Sequence, residues 1–467
     1  MHNFNSTSFS KREFCATLIY ENVNPLLKLI YRFIQGLVWV SYALYFRRIV
    51  FINQERMKAR GPLLVISNHP NTLIDPLMAL YRMREQCFLL ANYSLFKNPI
   101  SNAILSTLYC IPIQRMNDVP DGQPLRNEEA FRQCNEHLLG GGSIYIAVEG
   151  TSFPERRVRD LKTGMARIAF SAEMQTDFKL DLRILPIVIT YFDSLKFWKD
   201  VVVEIGEPIS VDSWRTAYNQ NPRKAIGDFT QSVENQMITH TIQCANAKED
   251  RFLKKLEAIL QSENYLETEK HYERSKYILN KIHAWQKEDL SSFEKFKSDV
   301  DNYFLKLKAL NINDLNKNNF SKTASLLPRS TRSDNPNGII LKLLLGLPIF
   351  IYGFINNIIP ACLSNGMVKW LKIDKSYDTT IRYMSGLVFF PIFWGLQKWG
   401  LSHILPFSVN GWIYLLTVIP AGLAAYVLYT EGVRFYHFLK FRNADKDNSL
   451  TQIRQPIVDK INNLINV

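Results

Sequence analysis

Leu63-Leu64-Val65-Ile66-Ser67-Asn68-His69-Pro70-Asn71-Thr72-Leu73-Ile74-Asp75 is the stretch from which the rest of the chain can be read. The apolar run Leu63–Ile66 has the length and composition of a buried strand, and the apolar spacing from Thr72 to Arg84 predicts a helix. A base, His69, and a carboxylate able to orient it, Asp75, therefore stand where a buried strand gives way to a helix. Pro70 suits the first helical position, which would place His69 at the cap and Asp75 in the second turn. The partial positive charge at that helix start would then keep the imidazole neutral and ready to take a proton. On residue chemistry alone, a capping histidine and a surface aspartate is the simpler reading, and the pair gains meaning only from its companion blocks downstream in the chain.

Outward from this point, short apolar runs alternate with amphipathic stretches from about 55 to 217. Strands are expected at Leu63–Ser67, Cys87–Ala91, Ser143–Val148, Ile184–Thr190 and Val201–Ile205, with helices at Thr72–Arg84, Ile100–Leu108, Leu125–Leu139 and Thr163–Glu173. Strands rich in Val, Ile and Leu and separated by helices predict an α/β fold: a mostly parallel sheet flanked by helices. Gly140-Gly141-Gly142 reads as a helix stop and turn, because the strand-then-GxxxxGK[ST] order of a phosphate loop is absent. No G-x-S-x-G elbow occurs, so a serine acyl-enzyme has no support.

Four regions are expected: 1–54, 55–217, 218–337 and 338–467. In the first, residues 24–47 are apolar and aromatic but interrupted by Lys28, Arg32 and Gln35. Charges inside hydrocarbon are costly, so an amphipathic helix lying in the membrane interface fits better than a crossing, with an ordinary packing helix as the alternative. Residues 222–310 read as a charged helical arm and 311–337 as a linker. Beyond them come three apolar runs, 339–362, 385–396 and 412–430. The second and third, joined by a loop without Lys or Arg and flanked by basic residues, predict a membrane hairpin with both ends cytosolic. The first, with basic flanks at both ends and broken by Asn356-Asn357 and Pro360, predicts a re-entrant or surface-lying hairpin. The expectation is thus a membrane protein, multi-pass or hairpin-anchored, with its catalytic domain in the cytosol.

The formal charge of +13 favours an anionic partner, and long apolar runs beside the Lys and Arg residues point to membrane lipids rather than nucleic acid. Six scattered cysteines without a C-x-x-C pair suit a reducing compartment and argue against structural zinc. The segment through Lys11-Arg12-Glu13 lacks a signal-peptide pattern.

Three further blocks come after His69 and Asp75: Ile111-Pro112-Ile113-Gln114-Arg115, Glu149-Gly150-Thr151-Ser152, and Leu185-Pro186-Ile187-Val188-Ile189. In that order the four blocks resemble the glycerolipid acyltransferase superfamily, closely over residues 60–210. The resemblance implies a glycerol-3-phosphate acyltransferase-like domain that moves a fatty acyl group from acyl-CoA or acyl carrier protein to a hydroxyl. It also implies His69 as general base with Asp75 assisting, Arg115 on the acceptor phosphate, and Glu149, Gly150, Thr151 and Ser152 orienting the acceptor. Pro186 matches the family's strand beside the acyl site. Direct attack on the thioester needs neither a metal nor an organic cofactor.

Two departures stand out. Most members have four residues between the His and the Asp, whereas Pro70 to Ile74 makes five. That spacing is similar to the fungal-type glycerol-3-phosphate and dihydroxyacetone-phosphate acyltransferases, and the added residue must be absorbed where the loop meets the helix. The family's frequent arginine in the third block is also missing. One or two of Arg156, Arg157, Arg159 and Lys162 supply that charge, or these cations face anionic lipid instead. The leading expectation is a glycerol-3-phosphate O-acyltransferase of phospholipid biosynthesis. A lysophosphatidic acid acyltransferase and a non-catalytic membrane scaffold or lipid-binding protein are the alternatives.

Overall fold

The computed structural model describes residues 25–83, 86–115, 118–119, 124–314, 336–404, 406 and 410–466. The leader reading at residues 11–13 and most of the expected linker, residues 315–335, lie outside the described residues. The chain divides into two compact units, one of residues up to Pro154 with Val158–Thr241, the other of Glu155–Arg157 with Ile242–Val467.

The first unit is built on an eight-stranded sheet: β1 (Arg48–Ile52), β2 (Leu63–Ser67), β3 (Cys87–Asn92), β4 (Cys110–Ile113), β5 (Ser143–Ala147), β6 (Arg183–Tyr191), β7 (Asp200–Ile205) and β8 (Ile209–Ser210). The order is β1-β7-β6-β2-β5-β3-β4, with β8 pairing β6. Strands β6, β2, β5, β3 and β4 are mutually parallel, while β7 and β8 run antiparallel to β6. Every residue of β2 is buried, as an unbroken apolar run covered on both faces requires.

Around the sheet lie α1 (Pro25–Tyr45), α2 (Ile74–Ala79), α3 (Pro99–Thr107), α4 (Glu128–Leu139), α5 (Gly164–Met174), α6 (Arg215–Gln220) and α7 (Pro222–Thr239). Ala130, Cys134 and Leu138, four residues apart, turn one face of α4 into the core, and Phe229, Val233 and Met237 do the same for α7. That spacing corrects the expected boundary at 217: α7 belongs to the sheet unit, with only its outer face charged. The boundary at 54 also moves, because β1 pairs β7 inside the same sheet. Helix α1 exposes Leu29, Phe33, Leu37 and Val40 and buries Tyr42, Tyr45 and the following Phe46.

The helix expected over Thr72–Arg84 is shorter, spanning only Ile74–Ala79. Pro70 to Leu73 form a turn in which Thr72 takes φ +40°, so Pro70 is not a first helical residue, and Asp75 stands in the first turn. The added residue is absorbed in that turn.

In the second unit, α8 (Ala247–Glu263), α9 (Thr268–Glu288), α10 (Leu290–Ala309) and α14 (Ser449–Asn466) pack together. Arg454 of α14 is buried and bonds Asp314 (Nε to Oδ1, 2.9 Å), Ser262 (2.6 Å) and Glu263. Between α10 and α14 in sequence come α11 (Pro336–Leu371), α12 (Asp378–Ile404) and α13 (Gly411–Ala444). Helices α11 and α13 are long and apolar enough to cross a membrane, and their apolar windows are mostly exposed.

Two expectations about this region are corrected. The run at 339–362 is not interrupted: α11 continues through Pro348 and Pro360. Pro360 has no N–H for the carbonyl of Asn356, and the Gln397 side chain of α12 donates to that carbonyl instead, at 3.3 Å. Nor do α12 and α13 form the expected hairpin, because α13 pairs with α11. Gly353 lies so close to Ala421 that an added Cβ would sit 2.0 Å from its carbonyl oxygen. Asn357 donates to the Val418 carbonyl at 3.2 Å, and Tyr414 donates to Asn356 at 3.1 Å. Gly346 faces Leu428, so α11 and α13 are antiparallel. Asn365–Arg382 and Asn357–Trp394 bonds make α12 antiparallel to α11 as well. Small residues and interhelical amides, rather than a short loop, decide the pairing.

Candidate active site

The parallel strands deliver their carboxyl ends to one edge of the sheet, where open α/β folds place ligands. At that edge Ser67 of β2 lies level with Ala147 of β5 and Ile187 of β6. Asn68 continues the ladder with its side chain: its amide donates to the Ile189 carbonyl (3.0 Å) and accepts the Ile189 N–H (2.8 Å). The next residue, His69, is thereby anchored to the sheet.

His69 Nδ1 lies 3.0 Å from Asp75 Oδ2. The histidine ring is partly exposed, and its other nitrogen has no partner among the described residues. Asp75 is fully buried, not a surface aspartate. Its Oδ2 also accepts the Asn71 N–H at 2.6 Å, and its Oδ1 accepts the Tyr191 hydroxyl at 2.9 Å. Burial pushes the Asp75 carboxyl above its ordinary range, and the bonds from His69, Asn71 and Tyr191 act against that push. Because α2 begins at Ile74 and has six residues, the expected helix-end field does not act at His69; the carboxylate is its structural partner.

The third block closes over this loop. Glu149 Oε2 accepts the His69 N–H (3.3 Å) and Oε1 accepts the Arg159 N–H (3.1 Å). Burial raises the Glu149 carboxyl to about 7. Ser152 Oγ accepts the Thr72 N–H at 3.0 Å, and the Phe153 N–H donates to the His69 carbonyl at 3.1 Å. Glu149 and Ser152 therefore grip the histidine loop. Gly150 takes φ +75°, which favours glycine, and its carbonyl accepts Arg115 Nη1 at 2.9 Å.

Arg115 leaves the end of β4 half-buried. Its Nε and Nη2 reach the two oxygens of Asp118 at 3.0 and 3.1 Å, and these bonds hold the Asp118 carboxyl below its ordinary range. Lys162 is exposed, with its side chain running beside Gly150, and the Arg159 guanidinium stacks over Phe153 at 3.6 Å from the ring centre. Thr151 is half-buried beside Gly150.

Three further expected site residues make structural contacts. Arg156 is buried in the second unit, with Nε on Asp250 (2.5 Å) and Nη1 on Glu257 (2.7 Å), so its donors are committed to structure. Arg157, in the same unit, donates to the Ala245 carbonyl. Pro186 is buried within β6, level with Ile66, and its carbonyl accepts the Gly206 N–H at 2.8 Å. It supports the sheet. Residues not anticipated from the sequence are Asn68, Asn71, Asp118 and Tyr191. Asn68 and Asn71 lie inside the first block, and Tyr191 lies two residues past the fourth. Among the described residues no group of three or more His, Cys, Asp or Glu side chains is arranged to hold a metal ion.

Residues 48–190 match the family described as Acyltransferase. Glycerol-3-phosphate O-acyltransferase 2 of Saccharomyces cerevisiae is 28% identical over 120 residues, which cover 26% of this chain and 16% of the yeast protein. Glycerol-3-phosphate O-acyltransferase 1 of the same yeast is 29% identical over 119 residues, 25% of this chain and 16% of that protein. The matched stretch thus spans well under two thirds of either relative. Among solved structures, the 1-acyl-sn-glycerophosphate (LPA) acyltransferase PlsC from Thermotoga maritima aligns with a TM-score of 0.33 and 19% identity, covering 48% of this chain and 85% of that one. Residues 48–190 thus carry an acyltransferase domain, similar over part of its length to the two yeast glycerol-3-phosphate O-acyltransferases.

Proposed function

We propose that the chain transfers a fatty acyl group from a thioester, acyl-CoA or acyl carrier protein, to the hydroxyl of glycerol-3-phosphate. The observation that carries this reading is the 3.0 Å pair of His69 and buried Asp75 at the carboxyl edge of the sheet. His69 takes the proton from the acceptor hydroxyl through its second ring nitrogen as the oxygen attacks the thioester carbonyl. Asp75 holds the Nδ1–H tautomer and offsets the charge of the imidazolium. Collapse of the tetrahedral intermediate expels the thiolate, which takes the proton back from His69. The two Arg115 N–H groups not engaged by Asp118 or Gly150, together with Lys162, supply cationic donors for the acceptor phosphate.

We further propose that α11 and α13 cross the bilayer as an antiparallel pair and that α12 enters it without crossing. Supporting this, α14, which comes after α13, is clamped by Arg454 to Asp314, which precedes α11. Both ends of the apolar region then share one side, and the number of crossings between them is even.

The test is acyl transfer to labelled glycerol-3-phosphate by the purified full chain and by His69→Ala. Transfer by the wild type and its loss in the variant support the reading. Equal activity in both removes His69 as the base, and transfer only to lysophosphatidic acid replaces the acceptor.

A further inference from the structure

We propose that Tyr191 is a positioning residue for the His69–Asp75 pair, its buried hydroxyl fixing the carboxylate so that the opposite oxygen meets the imidazole. This deepens the acyl-transfer reading and rests on it for its kinetic consequence. Tyr191 is the last residue of β6, the strand beside β2, so the sheet itself sets the distance between its ring and the histidine loop. Its hydroxyl donates to Asp75 Oδ1 at 2.9 Å, while Oδ2 takes His69 Nδ1 and the Asn71 N–H. The ring is buried and packs against Phe46, with centroids 5.9 Å apart.

A carboxylate turns easily about its terminal torsion, and either oxygen could serve the imidazole. Donors on both oxygens remove that freedom. The Asn71 N–H binds Oδ2 from the loop, and Tyr191 binds Oδ1 from the sheet, leaving one orientation in which the His69 bond is made. The hydroxyl also favours the ionised carboxylate in a site that burial otherwise turns against it. The titratable groups facing Asp75 are His69 on its own loop, Glu149 after β5, Tyr145 of β5 and Tyr191 of β6. From α1, Tyr42 donates to the Ile74 carbonyl, one residue before Asp75, at 3.0 Å. Tyr191 is the phenol among them that bonds the carboxylate directly.

Tyr191→Phe keeps the ring against Phe46 and removes only the donor. The expected result is a fall in kcat of about tenfold or more, with KM for acceptor and thioester changed less than about twofold, since a bond to a charged group is lost without touching substrate. The acid limb of the kcat–pH profile should move to higher pH, because Asp75 without this donor gains its proton more readily. Independently of activity, nitrogen NMR of histidine-labelled protein, with His69 assigned through His69→Gln, should show the Nδ1–H tautomer in the wild type and a mixture in Tyr191→Phe. A drop in kcat that follows the melting temperature with an unmoved acid limb, or an unchanged His69 spectrum, overturns the proposal. If the wild type transfers acyl groups to neither glycerol-3-phosphate nor lysophosphatidic acid, the acceptor reading fails by itself and the NMR comparison alone decides the role of Tyr191.

Discussion

Ser152 Oγ accepts the backbone N–H of Thr72 at 3.0 Å, joining positions eighty residues apart in the chain. Thr72 is the residue in the left-handed region, at φ +40°, that lets the turn accommodate five residues between His69 and Asp75. Ser152→Ala should remove that bond and lower stability by about 1–2 kcal/mol. It should lower kcat further than the stability loss explains, and Ser152→Thr, which keeps the oxygen, should restore both. Thermal melting and single-turnover rates on the three proteins check this.

Glu149 gives stability an unusual dependence on pH. Burial raises its carboxyl from 4.5 to about 7, so the folded chain holds a proton that the unfolded chain has released. Stability from this group is full below about 4.5, declines as pH rises through about 7, and costs about 3 kcal/mol once Glu149 is ionised. Glu149→Gln cannot titrate. Melting temperatures of wild type and variant should therefore diverge between pH 4.5 and 7, the wild type falling faster; parallel curves would contradict the assignment.

Arg115 is held by Asp118 and Gly150 in the orientation that leaves two N–H groups outward. Arg115→Ala should raise the acceptor KM about tenfold or more while the thioester KM stays within about twofold, because only the acceptor carries the phosphate. Arg115→Lys should recover little, since an ammonium cannot bridge Asp118 and Gly150 and still present a fork. Equal effects on both substrates reject the role.

Arg156 should behave as a structural cation. Arg156→Met takes the guanidinium from buried Glu257 and leaves buried Asp250 only Lys254 at 2.8 Å, with an expected loss of about 3–5 kcal/mol. Any folded fraction should retain the wild-type acceptor KM, whereas Lys162→Ala should raise it and leave melting nearly unchanged. Titrating the acceptor against both variants separates the two cations.

Apolar runs made five of the eight strands legible, at 63–67, 87–91, 143–148, 184–190 and 201–205, while β1, β4 and β8 were not among the expected strands. The pairing of His69 with Asp75 was legible only as a proximity in sequence. What brings them together is a left-handed Thr72 and bonds from Glu149 and Ser152, none of which periodicity encodes. The cations after the third block could not be sorted from sequence, because only the fold buries Arg156 between Asp250 and Glu257 and leaves Lys162 exposed. The hairpin read from an uncharged loop and basic flanks failed for a related reason. Gly353 against Ala421 and the amide of Asn357 select α13 as the partner of α11, and such contacts leave no periodic trace.

The grip of Arg454 on Asp314 and Glu263 also orders events in time. Helix α14 is synthesised only after both long apolar helices, so Asp314 and Glu263 beside α8, α9 and α10 stay without their arginine until those helices have been made. A chain ending between α10 and α14 would leave those two carboxylates without Arg454.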